Sequence, residues 1–83
     1  LNDPFFHEQA TNIAAQAKSS VGVSASDEVR VRWFFQRILQ RDPTADELAL
    51  ALQFLQDYPA PPDKNLAAYV RILLASNEFL HVD

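Results

Sequence analysis

Residues 38–48, ILQRDPTADEL, break an otherwise helical pattern and limit what the chain can become. Pro43 disfavours helical backbone at Asp42, so a helix arriving from the N-terminal side must stop there. Thr44 and Glu47 stand at the T-x-x-E spacing of a capping box, in which each side chain satisfies a backbone N–H at the start of the next helix. Asp46 adds negative charge to the same first turn, where the helix dipole favours it. The density of Arg, Asp, Thr and Glu is that of a catalytic corner, yet capping accounts for every polar residue from Asp42 to Glu47. The stretch reads as the end of one helix and the start of another.

The remaining apolar residues recur at helical spacing. Asp3 and Pro4 suit the cap and first position of a helix over about 3–19, with Phe6, Ala10, Ile13, Ala14 and Ala17 on one face. SSVGVSAS holds the only glycine and reads as a loop. Ser24 and Ser26 are alternative caps for a second helix over about 26–40, whose stripe is Val31, Phe34, Phe35, Ile38 and Leu39. A third helix over about 45–57 places Leu48, Ala51, Leu52 and Leu55 on one face and Leu50 and Phe54 well round to another. So wide an apolar arc predicts a central helix with several neighbours. YPAPPD is a stiff spacer. A fourth helix over about 64–77 turns Leu66, Tyr69, Val70, Leu73 and Leu74 inward, and Ser76 or Asn77 is placed to end it. The expected fold is all-α, a small four-helix bundle in a single domain over 1–83.

Composition narrows function mostly by exclusion. Eighty-three residues, 48% apolar with six Phe, can fill one core but not two. Seven basic against eleven acidic residues give a net charge of −4, which disfavours generic nucleic-acid binding. Without cysteine there is no thiolate zinc site and no haem attachment in this segment. No run approaches the roughly 20 apolar residues of a membrane span. The lack of any Met leads us to expect a fragment cut from a larger protein.

Candidate chemistry is sparse. His7 beside Glu8, and His81 near Asp83, are the only His–acid neighbours, and neither gives the i, i+4 pair of a helical metal site. One glycine cannot build a phosphate cradle, and no G-x-S-x-G occurs. No catalytic, cofactor-binding or metal-ligating residue is therefore assigned. Two surfaces on the second helix remain. Val29 and Trp33 are an i, i+4 pair off the main stripe, a candidate contact surface on which Trp33 is expected to be at least partly exposed. Arg30, Arg37 and Arg41, at i, i+7 and i+11, form a candidate basic edge, which either binds nucleic acid or pairs with carboxylates of the domain itself.

Three segments, LNDPFFHEQA, FFQRILQRDPTADELALALQFL and LLASNEFLHVD, resemble in order the C-terminal part of a family of large planctomycete proteins, domain of unknown function 1553. Family members read NDP-F--EQA, LF-LALGR-PT--EL----FL and LLNSNEFLYVD in these regions. The chain departs at Gln40, where the family has Gly, and at Arg37, where it is apolar; both bear on how the second helix ends. The resemblance implies a C-terminal accessory module of an exported, extracytoplasmic protein whose other domains can carry c-type haem. It transfers no catalytic residues.

The expected function is thus non-catalytic: a helical interaction module that contacts other domains of its parent or another protein, with no cofactor of its own. The alternative is a small nucleic-acid-binding bundle using the arginine edge. One structural pair is also expected. A fourth helix antiparallel to the third would return SNEF to the corner holding Arg41, where Arg41 and Glu78 would form an ion pair with Phe79 turned inward beside it.

Overall fold

A computed structural model describes residues 3–80, with side chains through Ser76. Four helices account for its regular structure: α1 (Pro4–Val21), α2 (Asp27–Leu39), α3 (Ala45–Asp57) and α4 (Pro62–Leu80). The expected all-α bundle is the observed one.

Local chemistry sets each boundary. Asp3 caps α1 by accepting from the Phe5 N–H at 2.9 Å, with Pro4 at the first helical position. The helix runs past the expected Ser19 to Val21, because only at Gly22 does the backbone turn to φ 95° and bond Lys18 O. Ser26, not Ser24, caps α2 through the Val29 N–H. Gln40 ends α2 in the left-handed conformation, φ 59° and ψ 37°, where glycine is usual. Thr44 and Glu47 make the full capping box at α3. Pro62 opens α4 two residues before the expected start, since proline fits a first turn that needs no N–H. That helix continues through Ser76 and Asn77 to Leu80 without the expected stop.

Packing follows residue size. Ala10, Ala14 and Ala17 of α1 are buried beside Leu66, Ala67, Val70 and Leu73 of α4, and small side chains permit the close approach that makes α1–α4 the most extensive contact. Phe34, Val31 and Val70 are fully enclosed at the centre. Each contributes about 1.5–3 kcal/mol by leaving water. α2 and α4 each touch the three other helices, whereas α1 and α3 do not meet among the described residues.

That arrangement corrects the expectation for α3. It is peripheral, touching only α2 and α4, and its second apolar face is covered in part: Phe54 packs against Tyr69 and Tyr58, while Leu50 has no cover among the described residues. Leu50 is 71% exposed there, while only Ala51 and Leu55 of α3 are buried. A wide apolar arc signals either many neighbours or an uncovered face. Here it is the latter.

Candidate functional site: the Arg41 corner and its adjoining groove

The corner is built by backbone first. The left-handed turn at Gln40 swings Arg41 out of α2 and back across the start of α3. Its guanidinium then grips Glu47 with two parallel bonds, Nη1 to Oε1 and Nη2 to Oε2, each 2.7 Å. Nη1 also donates to Asp42 O at 3.0 Å, and the cation lies 5.5 Å above the Phe35 ring. Glu47 Oε1 in turn accepts from the Thr44 N–H at 2.8 Å, closing the capping box. Gln36 donates to Asp42 Oδ1 at 2.9 Å. One carboxylate thus joins the end of α2 to the start of α3.

The electrostatics match the geometry. Glu47 is lowered from 4.5 to about 2, first by the bond from Arg41 and then by the Thr44 N–H. Arg41 is raised, chiefly by the same bond to Glu47. Because both groups keep their charge across the ordinary pH range, they hold the junction rather than exchange protons.

Beside the corner opens a groove of about 400 Å³ between α2, α3 and α4. Leu39, Leu50, Phe54, Ile72 and Tyr69 line it, with the Arg41–Glu47 pair at one end. Tyr69 is pushed up to about 12, first by burial and then by the charge of Glu47. A second hollow continues past Phe54 and Ile72 to Tyr58, Ala68 and Arg71. Apart from Arg41, Glu47, Ser76 and Arg71, the walls are apolar and aromatic side chains, and they can hold an apolar face.

The basic edge is not a uniform row. Arg30 is engaged internally: its side chain is 13% exposed, bonds Val23 O at 2.7 Å, and reaches Asp27 at 3.5 Å. It tethers the α1–α2 loop. Arg41 grips Glu47. Arg37 alone has no carboxylate partner among the described residues, and it lines a separate hollow with Phe5, Gln9 and Leu74. Val29 is 43% exposed, and Trp33 is half-buried, its ring edge-on to Phe34 at 5.8 Å. His7 is half-buried on α1.

The Glu78 and Phe79 side chains, with His81 and Asp83, lie outside the described residues, so the expected Arg41–Glu78 pair falls there as well. Sequence reasoning found Thr44 and Glu47 as caps but missed that Glu47 would also engage Arg41. A capping glutamate six residues after an arginine, across a proline break, was the available signal. It also missed the groove, for which Leu50 and Phe54 on a second face of α3 were the sign.

Neither curated proteins nor solved structures gave a match to the chain. A family model does match, over residues 1–55, which takes in α1, α2, the Arg41 corner and most of α3, and leaves SNEFLHVD outside. With about two thirds of its length matched, the chain belongs to the PSD1 family, proteins of unknown function (DUF1553).

Proposed function

We propose that this segment is a non-catalytic interaction module, the C-terminal accessory part of a multidomain extracytoplasmic protein, docking on other parts of that protein or on a protein partner. The observation that carries this reading is the contrast between its polar and apolar groups. Arg41, Thr44 and Glu47, the densest polar cluster, are occupied in fastening one helix to the next. Large apolar side chains instead stand in solvent, among them Val29 at 43% exposure and Leu50. Exposed apolar surface suits contact with protein. Extracytoplasmic placement and a haem domain elsewhere in the parent rest on the family's pattern alone. This segment has no cysteine to attach one.

Trp33 supplies the test, because it is the only tryptophan. Adding the remaining parts of the parent protein, expressed separately, should shift its emission to the blue as Val29 and Trp33 are covered. Trp33→Phe should retain the fold and Val29→Asp should weaken the association. No association and no spectral change would overturn the proposal. The nucleic-acid alternative is weakened by the engagement of Arg30 and Arg41 in internal bonds. Its own test is binding of DNA or RNA at about 50 mM salt, where phosphate contacts are strongest.

A further inference from the structure

One face of α3 and α4 is left uncovered among the described residues, and its charge pattern selects its occupant. Its centre is apolar, with Leu50 71% and Ile72 44% exposed and Phe54 between the two hollows. Its edges differ in sign. Asp46, Leu50, Gln53 and Asp57 follow one another at i+4, i+3 and i+4, so two carboxylates flank Leu50 along the outer edge of α3. Lys64 and Arg71 stand seven residues apart along the outer edge of α4, with the buried Ala68 between them in sequence. Arg71 lines the second hollow, and neither it nor Lys64 has a carboxylate partner among the described residues. The four-residue connector 58–61 keeps Asp57 and Lys64 at the same end.

We infer that this face binds a second copy of itself, about a two-fold axis lying in the interface and running along the helices. Such an axis sets α3 of one copy against α4 of the other and keeps each residue at its own level. Asp57 then meets Lys64 of the other copy, twice by symmetry, and about two helical turns further along Leu50 of each copy meets Ile72 of the other. An axis across the helices would set α3 on α3, aspartate against aspartate. The charges therefore choose the arrangement as well as the occupant. A face two helices wide and about 20 Å long falls at the small end of specific interfaces, so the dimer is weak and concentration-dependent. It uses no residue of the Val29–Trp33 surface, and the two contacts stand or fall separately.

Sedimentation velocity of the chain, from about 10 μM to about 1 mM, tests it over the range where weak dimers form. A concentration-dependent dimer is expected, lost in Leu50→Asp and Ile72→Asp and unchanged in Val29→Asp. Asp57→Lys and Lys64→Glu should each weaken it, and an equimolar mixture of the two should restore association, because the reversed pairs match again. Both substitutions also suit their helix ends, lysine at the C-terminus of α3 and glutamate in the first turn of α4, so folding is retained. A monomer across the whole range overturns the inference and leaves the face to a different protein. A dimer insensitive to Leu50→Asp, or a mixture no tighter than either variant alone, overturns it equally.

Discussion

Two regions of one helix behave differently. At its N-terminus α3 is closed on itself: Thr44, Glu47 and Arg41 satisfy one another within six residues of chain. Along its outer face α3 is open, with Leu50 in solvent and no helix to cover it among the described residues. Polar groups find partners locally because hydrogen bonds are short and directional. An apolar side chain finds cover only where the topology brings another surface. The closed corner therefore serves stability, and the open face is available for contact.

The largest expected effect sets the core against that face. Leu66→Ala, at a residue 2% exposed, should cost about 2–5 kcal/mol, whereas the same change at Leu50 should stay within about 0.5 kcal/mol. Thermal unfolding of the two variants checks this, and equal losses would mean that Leu50 is covered in solution. Next comes the corner. Thr44→Ala removes the oxygen that accepts from the Glu47 N–H and should cost about 1 kcal/mol, a fall of roughly 4–8 °C in Tm for a domain of this size. Gln40→Gly should act in the opposite sense. Relieving a left-handed non-glycine residue should add about 0.5–1 kcal/mol, and a loss instead would show that the Gln40 side chain contributes more than its strain.

Two pH windows sharpen the comparison further. Glu47 is lowered in the folded state, so its contribution is fully present above about 4.5 and is lost as pH falls through about 2. Glu47→Gln should flatten the acid limb of stability against pH in that window. Tyr69 is raised from 10 to about 12, so its contribution is present below pH 10 and lost as pH rises through about 12. Tyr69→Phe should remove the late rise in tyrosinate absorbance. The smallest effect is expected at the exposed Lys18–Asp63 pair between α1 and α4, where Asp63→Asn should change stability by less than about 1 kcal/mol.

Much of the fold was legible from residues whose influence is local. Proline, the Thr44–Glu47 spacing and the Asp3 cap act within one helical turn, and they set helix number and most boundaries. The errors lay where a local preference was weak. Ser19 and Ser20 did not end α1, because serine only competes with the helix whereas Gly22 actually leaves it. Ser76 and Asn77 likewise failed to stop α4. The departure from the family's glycine at Gln40 did mark a special position, since that residue adopts the conformation glycine would favour.

The sequence by itself determined that this chain makes four helices, which faces of them are apolar, and how α1 and α3 are capped at their starts, because periodicity and capping depend on neighbours within four residues. Only the tertiary structure decided that α2 and α4 are central and α3 peripheral, that Arg41 engages Glu47, and that Leu50 and Ile72 border one groove left uncovered among the described residues. Those outcomes depend on how close two helices can approach. The small alanines of α1 let α4 pack tightly there, and α3 is left at the edge with one face in water.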